Sequence, residues 1–296
     1  MNYLLIDAYN LAHRVHWTHR MLSFEGIPVS CLYGFFSSLS SLKRKFPSHL
    51  FIVAWDGGYE RRAAESLNAV KSGIIPTGYK ANRPKPEDEL PPDVEIVHEQ
   101  IEPLKEALRL ARVFQVSVNG VEADDIISTY AKQNELSDGN SIIVTSDKDF
   151  LQCLTDKIHI YDSMKSNYWT RKIFIDSYGF EPNLWVDVGS LMGDISDNII
   201  SVPGIGEKTA ISLIKEYGNI DNVINSLKLM EKRKKKEQAI LDYEKRVRLA
   251  YSLKKMDIIN NLPQPRCANR SSQSLLEWFK QFKFESLYES SIRLTR

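Results

Sequence analysis

Short apolar runs alternate with helical patterns along the first half of the chain. Three runs have the length and composition of buried β-strands: residues 3–6 (YLLI), 50–55 (LFIVAW) and 141–145 (SIIVT). Helical spacing separates them, and in the segment 101–115 it places Leu104, Leu108 and Ala111 on one face. This order predicts an α/β fold with a mostly parallel central sheet and flanking helices.

The pattern changes after residue 190, where no strand pattern of comparable strength occurs. A glycine-containing turn motif, SVPGIGEKTA, is followed by a basic stretch at 231–255 and then by a helical tail rich in aromatic residues. We therefore predict an α/β core over residues 1–183 and a helical lobe over residues 184–296.

The segment 59–100 separates the second and third predicted strands. It carries many charges, scattered glycine and proline, and the basic run YKANRPK at 79–85. Because sheet-forming segments flank it on both sides, it does not fit a linker between domains. We predict a mobile, substrate-facing excursion from the core.

Composition narrows the class of protein. With 296 residues, of which 43% are hydrophobic, the chain can bury a substantial core. No run approaches the roughly 20 apolar residues of a membrane span, so we expect neither a membrane protein nor an exported one. Cys31, Cys153 and Cys267 are far apart and form no CxxC pair, which predicts no disulfide framework or zinc site and indicates a cytoplasmic location.

Each predicted strand is followed almost at once by an aspartate. Parallel α/β sheets place their ligands at the carboxyl ends of strands, where these acids would lie. Further acids come from the motifs VEADDIIS, TSDKDF and GDISDN, and the i,i+3 spacing within the last motif predicts that its two aspartates share one helical face. The nine candidates are Asp7, Asp56, Glu122, Asp124, Asp125, Asp147, Asp149, Asp194 and Asp197.

Taken singly, each of these acids is explained by a turn or a helix cap. Together they would repel one another strongly unless divalent cations neutralised them. Oxygen ligands without nearby histidine or cysteine favour magnesium or manganese over zinc, and a pair of such ions favours phosphoryl hydrolysis. The net charge is +1, and it becomes +10 without these nine acids, so a basic surface around an acidic site would suit a polyanion.

Seven motifs resemble, in order, those of the bacterial DNA polymerase I 5′ nuclease domain. They are LLIDAYNLAHR, VAWD, GYKANRPKPED, GVEADDIIS, TSDKDFLQCL, LMGDISDN and PGIGEKTAISLIKEYG. This family is shared with phage 5′ nucleases and is related to cellular flap endonucleases. The resemblance runs from about Tyr3 to about Leu287. It implies a PIN-like 5′ nuclease core, a helical arch or clamp over residues 59–100, and a helix-three-turn-helix DNA-binding element in the helical lobe.

The resemblance also implies two Mg²⁺ sites, at which Mn²⁺ can substitute. Four acids would surround the first ion: Asp56, Glu122, Asp124 and Asp147. Four would surround the second: Asp147, Asp149, Asp194 and Asp197. Asp7 and Asp125 match family acids that complete the cluster, so that none of the family acids is missing.

Further residues match family positions that contact DNA. Tyr79, Lys80 and Arg83 would meet the scissile phosphate and the adjoining base, and a Lys and an Arg three positions apart on a helix could reach one phosphate as catalytic groups. Arg61 and Arg62 would lie near the base of the arch. The chain departs from the polymerase-type pattern by extra residues before Gly78, within AAESLNAVKSGIIPT, which leaves open how the arch orders and which flaps it admits.

The motif VPGIGEKTA matches the helix-three-turn-helix element. Gly204 and Gly206 would let backbone N–H groups approach a duplex phosphate, with Lys208 nearby and a K⁺ ion held by backbone carbonyls. The basic runs 231–238 and 244–255 are either solvated helix faces or sequence-independent phosphate contacts, and beside this motif we favour the contacts.

We therefore predict a monomeric, stand-alone 5′-3′ exonuclease and flap endonuclease of a bacterial or phage-infected cell. Its partners would be branched, flapped or nicked DNA with a 5′ end, and RNA primers as a further substrate. Two alternatives remain: a PIN-like ribonuclease, and a catalytically silent protein that binds DNA junctions. Comparing cleavage of flapped DNA with cleavage of single-stranded RNA tests the ribonuclease alternative. Absence of any cleavage would favour the silent junction-binding protein.

Overall fold

The computed structural model of the chain describes residues 1–84, 88–266 and 272–295. These residues divide into two compact units that interleave along the sequence. Unit 1 comprises Met1–Gly57, Asp88–Thr145 and Ile259–Arg296, and unit 2 comprises Gly58–Glu87 and Ser146–Ile258. The domain boundary predicted between residues 183 and 184 was placed from the sequence motifs, whereas the two units follow from contacts in the structure. That boundary stays a prediction.

Eight strands and thirteen α-helices are assigned in the described ranges. The strands are β1 (Asn2–Asp7), β2 (Ser23–Phe24), β3 (Ile27–Pro28), β4 (Leu50–Trp55), β5 (Phe114–Ser117), β6 (Asn140–Val144), β7 (Ile158–Asp162) and β8 (Asn167–Trp169). The helices are α1 (Ala8–Thr18), α2 (Ser30–Lys45), α3 (Glu60–Lys71), α4 (Pro92–Leu110), α5 (Ala123–Leu136), α6 (Arg171–Tyr178), α7 (Trp185–Met192), α8 (Glu207–Tyr217), α9 (Ile220–Leu229), α10 (Lys235–Asp242), α11 (Glu244–Lys254), α12 (Gln273–Gln281) and α13 (Tyr288–Leu294).

The core of unit 1 is a parallel sheet in the order β5-β4-β1-β6. In its register Asp7 pairs with Ala54, and Ile6 pairs with Val144. All six residues of β4 are buried, as expected for a parallel strand covered on both faces. The three strands predicted from the apolar runs are therefore confirmed as β4, β1 and β6.

Helices of unit 1 pack on one another through both apolar and polar contacts. Gln100 in α4 accepts a hydrogen bond from the backbone N–H of Cys31 at 2.9 Å. Near the end of the chain, α13 packs against α2, where the hydroxyl groups of Ser40 and Ser290 lie 2.8 Å apart. The C-terminal helices therefore belong to unit 1 rather than to the helices that precede them.

Two predictions for the segment before β5 are wrong. The helix expected over 101–115 ends at Leu110, and Phe114–Ser117 forms β5, because Arg112 turns the chain at φ +53° and the strand then pairs with β4. The segment 59–100 was predicted to be an excursion from the core. It contains α3 and the start of α4, which buries Val97.

Unit 2 consists of α3, the antiparallel pair β7–β8 and the helices α6–α11. Within it α7 packs against α8 and α11. One apolar cluster joins Tyr79 and Ile199 to Ala250 and Leu253 of α11. It packs the segment that follows α3 against α11.

None of the described helices combines the length and apolar character needed to cross a lipid bilayer. Cys31 and Cys153 are buried and lie outside any disulfide bond. Cys267 lies outside the described residues.

Candidate active-site residues

Two candidate acids of unit 1 lie at the carboxyl ends of adjacent strands. Asp7 ends β1 and caps α1, accepting a hydrogen bond from the N–H of Asn10 at 3.0 Å. Asp56 follows β4 and accepts a hydrogen bond from the N–H of Ala123 at 2.7 Å. This bond ties the carboxyl edge of the sheet to the start of α5.

The other three acids of unit 1 lie at the N-terminus of α5. Glu122 is its N-cap residue, while Asp124 and Asp125 are in its first turn, where the helix dipole favours negative charge. Glu122 and Asp125 are buried, with 3% and 4% of their surface exposed. Five of the nine candidate acids therefore lie at the carboxyl ends of β1 and β4 or at the start of α5, and the bond from Ala123 to Asp56 joins two of these places.

The four remaining acids belong to unit 2 and come from two turns. Asp147 caps a short 3-10 helix, Lys148–Cys153, and accepts a hydrogen bond from the N–H of Asp149 at 2.8 Å. Asp194 begins a turn over residues 194–199, here called the Asp194 turn, which a backbone bridge to Ile199 closes.

The prediction that Asp194 and Asp197 share a helical face is wrong. Helix α7 ends at Met192, and Gly193 follows it with φ +75°, which breaks the helix. A Cβ atom at Gly193 would lie 2.5 Å from the carbonyl oxygen of Ile199, so the close approach of the backbone at these two residues requires glycine.

The acids of unit 2 influence one another electrostatically. Burial in the surrounding protein, and then the charge of Asp149, raise the pKa of Asp147 to about 6, although part of this residue reaches solvent. Burial likewise raises the pKa of Asp149, and the charges of Asp194 and Asp197 add to the shift. Repulsion among these acids therefore adds to the effect of burial on their pKa values.

Lys254 supplies a positive charge to these acids, and it is not among the candidate site residues of the sequence motifs. Its ammonium group donates to Oδ2 of Asp149 at 2.8 Å and to Oδ2 of Asp194 at 2.9 Å. Burial acts to lower the pKa of Lys254, but the two carboxylates outweigh it and raise the pKa above its ordinary value. A signal was present in the sequence, since Lys254 follows Val247 and Ala250 at the spacing of the buried face of α11.

Tyr79, Lys80 and Arg83 surround Asp197. The Tyr79 hydroxyl donates to Oδ2 at 3.1 Å, Arg83 Nη2 lies 2.6 Å from Oδ1, and the Lys80 N–H donates to the Asp197 carbonyl at 2.8 Å. The Lys80 ammonium nitrogen lies 5.4 Å from the ring centroid of Tyr59 and 5.1 Å from that of Tyr79. Three residues expected to contact a phosphate are thus gathered around one candidate metal ligand.

These residues do not lie on a helix, which corrects the premise of the prediction. Residues 77–83, here called the Lys80 turn, are a series of turns in which Lys80 has φ +54° and the Arg83 N–H donates to the Lys80 carbonyl at 3.0 Å. Asn82 donates to the carbonyl of Ile195 at 2.8 Å, and Asn198 donates to that of Gly78 at 2.6 Å. The Lys80 turn and the Asp194 turn therefore hold each other in place. Lys85 lies outside the described residues.

The extra residues before Gly78 extend α3 and then return to the body of unit 2. Ile75 is buried, and Arg246 of α11 donates to the carbonyl of Ile74 at 2.8 Å. Contacts at Ile74 and Ile75 therefore hold this part of the segment to the rest of unit 2.

Arg61 and Arg62 begin α3 and bind the end of α11. Arg62 is 5% exposed and donates to the carbonyls of Leu253 and Lys255 at 2.7 and 3.2 Å. Arg61 forms an ion pair with Asp257. Arg61 also donates to the carbonyl of Ser252 at 3.1 Å, so both arginines satisfy carbonyl groups that the end of a helix leaves unpaired. Their contact with DNA stays a prediction, and for Arg62 these bonds argue against it.

The predicted phosphate-binding turn precedes α8. Gly204 has φ +79° and Gly206 is the N-cap of α8, and a Cβ atom at either position would meet no atom within 4 Å. Lys208 is exposed in the first turn of the helix. The ammonium nitrogen of Lys236 lies 3.5 Å from the Thr209 hydroxyl oxygen, so the basic start of α10 lies beside this turn.

The donor set fits hard divalent cations. Its candidate ligands are all carboxylates, and in unit 2 burial, together with repulsion from neighbouring acids, raises the pKa values of Asp147 and Asp149. Across residues 1–84, 88–266 and 272–295, no three acidic, histidine or cysteine side chains form a ready-made metal-binding group. In unit 2, Lys254 contacts Asp149 and Asp194, and Arg83 contacts Asp197.

Comparison with protein families matches nearly the whole chain. Residues 2–179 match the model of the 5′-3′ exonuclease N-terminal resolvase-like domain, and residues 180–269 match that of the 5′-3′ exonuclease C-terminal SAM fold. A Bacillus subtilis 5′-3′ exonuclease is 34% identical over 259 residues, which cover 83% of this chain and 81% of that protein.

Longer relatives also match. The DNA polymerase I of Rhizobium leguminosarum is 31% identical over 228 residues, which cover 74% of this chain and 21% of the polymerase. The chain therefore spans about a fifth to a quarter of the length of such polymerases.

Two solved structures from phage T5 share the fold. The zinc-bound 5′-exonuclease has a TM-score of 0.70 at 21% identity, and each chain is covered completely. The D15 flap endonuclease, in a pseudo-enzyme-product complex with DNA and metal ions, has a TM-score of 0.69 at 20% identity, with 100% of this chain and 99% of that chain covered. The family resemblance and the predicted α/β fold with a helical second part are thereby confirmed.

Proposed function

Because the chain belongs to the 5′-3′ exonuclease family, we propose that it hydrolyses phosphodiester bonds of DNA near 5′ ends and at 5′ flaps. The observation that supports this most directly is the Asp197 environment, where a candidate metal ligand is bonded to Tyr79 and Arg83. Ligands for a cation and groups for a phosphate are thus neighbours within one unit.

The five candidate acids of unit 1 and the four of unit 2 would each supply oxygen ligands for Mg²⁺, which Mn²⁺ can replace. When bound, such ions activate a water molecule for attack on phosphorus and offset the charge that develops on the leaving oxygen. The remaining work falls to the side chains of the chain itself.

Arg83 and Lys80 are the catalytic groups contributed by the Lys80 turn. The Arg83 guanidinium now pairs with Asp197, and a phosphate group of the substrate is a competing partner for the same planar donor. Lys80 adds a second positive charge beside the rings of Tyr59 and Tyr79. Together they lower the free energy of a transition state that carries more charge on the phosphate oxygens.

Duplex DNA binds at the turn before α8. The backbone N–H groups near Gly204 and Gly206 approach a phosphate, Lys208 adds charge, and a K⁺ ion binds to backbone carbonyls of this turn. Branched, flapped or nicked DNA is the substrate, with RNA primers as a second one. The protein acts as a monomer in the cytoplasm of a bacterial or phage-infected cell.

A magnesium titration with a 5′-labelled flap substrate tests the proposal, with product lengths resolved on a gel. We expect cleavage that requires Mg²⁺ and falls on the order of a thousandfold in Asp147→Ala, since loss of a ligand removes several kcal/mol of transition-state stabilisation. Asp176→Ala is the matched control, because Asp176 is an exposed acid of unit 2 that pairs with Lys172. Lys80→Met should bind the flap but cleave it slowly.

Three results would contradict this proposal. Undiminished cleavage by Asp147→Ala, or cleavage in EDTA, would exclude the metal chemistry. Faster cleavage of single-stranded RNA than of flapped DNA would favour a ribonuclease. Flap binding without cleavage at any Mg²⁺ concentration would favour a silent junction-binding protein.

A further inference from the structure

Lys254 is a buried cation among acids that are otherwise candidates for metal binding. Its side chain is 2% exposed, and its ammonium group bridges Asp149 and Asp194 at 2.8 and 2.9 Å. A lysine is rarely buried to this degree unless it is paired. Its neighbour Lys255 is exposed, so burial is specific to one of two adjacent lysines.

The backbone of Lys254 is held from two sides. Gln152 donates to its carbonyl at 3.1 Å and accepts from the N–H of Met256 at 3.2 Å. On the other side, Arg62 donates to the carbonyls of Leu253 and Lys255. These hydrogen bonds fix the backbone from which the Lys254 side chain extends.

The stem of Lys254 crosses α7 at a glycine. A Cβ atom at Gly189 would lie 2.6 Å from Cε and 2.9 Å from Cδ of Lys254, which is shorter than non-bonded contacts of Cβ atoms in proteins. A glycine within a helix costs up to about 1 kcal/mol relative to alanine. Here it gives the lysine stem its path to the acids.

Protein donors already occupy both oxygens of Asp194. Ser196 donates to Oδ1 through its N–H at 2.8 Å and its hydroxyl at 2.6 Å, and Lys254 donates to Oδ2. Asp149 also uses its Oδ2 for Lys254. A divalent cation at these carboxylates would therefore meet an ammonium group of the same sign.

We propose that Lys254 is a built-in cation of the acids in unit 2: it holds Asp149 and Asp194 together in the metal-free protein and weakens their affinity for divalent cations. Without it the carboxylates repel one another. With it, an incoming cation experiences the repulsion of a fixed positive charge a few ångströms away. Lys254 is thus a positioning residue, and the inference rests on the proposed function because it takes these acids as metal ligands.

The test compares Lys254→Met with Lys255→Met in the full chain. The melting temperature is measured in EDTA and in MnCl₂, and Mn²⁺ affinity is measured by electron paramagnetic resonance titration. We expect Lys254→Met to melt several degrees lower in EDTA, to recover most of this loss in MnCl₂, and to bind Mn²⁺ about tenfold more tightly. Lys255→Met should match the parent in all three measurements.

Gly189→Ala is a second variant that keeps every charge and so remains usable if Lys254→Met does not fold in EDTA. Helix propensity alone predicts that alanine stabilises α7. Displacement of the Lys254 stem predicts the opposite in EDTA, with recovery in MnCl₂ and tighter Mn²⁺ binding than in the parent.

An equal loss of melting temperature with and without MnCl₂ would reduce Lys254 to a packing role and overturn the inference. Weaker or unchanged Mn²⁺ binding in Lys254→Met would do the same. If either of these contrary results is found and the parent protein still cleaves the flap, the inference about Lys254 fails and the proposed function stands. If the parent neither binds Mn²⁺ nor cleaves DNA, the proposed function fails with it.

Discussion

At the scale of single residues, Asp187 is a buried carboxyl that is not among the candidate ligands. Its Oδ1 accepts a hydrogen bond from the N–H of Ile220, which begins α9, so Asp187 links α7 to α9. Burial nevertheless dominates, and it raises the pKa of Asp187 to about 6. The carboxyl accepts backbone hydrogen bonds, but its charge opposes folding because burial outweighs them.

We predict that Asp187→Asn stabilises the protein at pH 8. Because the folded pKa of about 6 lies above the reference value of 3.8, the contribution of this carboxyl is fully present below pH 3.8 and is lost as pH rises through 6. Asparagine keeps the acceptor for Ile220 without the charge. Urea unfolding should show a gain of at most about 3 kcal/mol at pH 8 that shrinks toward pH 5. A gain independent of pH would exclude this explanation.

At the scale of elements, the turn before α8 differs from an ordinary helix start by two glycines with open space beside them. Gly204 needs glycine for its φ of +79°, whereas Gly206, with φ −105°, does not. Steric conflict within the chain explains neither position, since an added Cβ atom meets nothing within 4 Å. Close approach of a phosphate backbone would explain both.

We predict that Gly204→Ala and Gly206→Ala each weaken duplex binding about tenfold, because a methyl group would hold the phosphate away from the backbone N–H groups. Gly73→Ala is the matched control: Gly73 also has a positive φ, +69°, and open space. It should lose about 1 kcal/mol of stability, as Gly204→Ala does, without any loss of DNA affinity. Fluorescence anisotropy and thermal unfolding measure the two effects, and equal affinities for all three variants would contradict the assignment.

At the scale of the whole molecule, the net charge of +1 hides an uneven distribution. The nine candidate acids come from segments far apart in sequence, and each unit collects its share because the chain passes between the units repeatedly. Lysines near the turn before α8 face solvent, as Lys208 and Lys236 illustrate. This distribution suits a polyanion held largely by charge.

We predict that Lys208→Met reduces the slope of log binding constant against log salt concentration by about 0.9, the value for one lost phosphate contact on duplex DNA. Lys132→Met, which removes an exposed lysine of α5, should leave the slope unchanged. Anisotropy titrations over a range of KCl concentrations provide the measurement. Equal slopes for both variants would place the duplex elsewhere on the protein.

Local patterns in the sequence determined much of the fold and most of the candidate site. Apolar runs predicted β1, β4 and β6, because a strand buried on both faces needs a continuous apolar segment. An aspartate directly after such a strand must lie at the carboxyl edge of the sheet, so Asp7 and Asp56 followed from the sequence alone. The four-residue strand β5 was missed, since so short a run is not distinct from a helix end.

Tertiary structure alone decided which partner each charged side chain meets. From the sequence, Lys254 is one of many lysines in a basic run, and Arg62 is one of two adjacent arginines. In the fold, Lys254 meets Asp149 and Asp194, while Arg62 meets the end of α11. The Asp194 turn was mistaken for a helix because i,i+3 spacing suits either form. Periodicity reports the face of an element, whereas an ion pair between residues a hundred positions apart depends on how the elements pack.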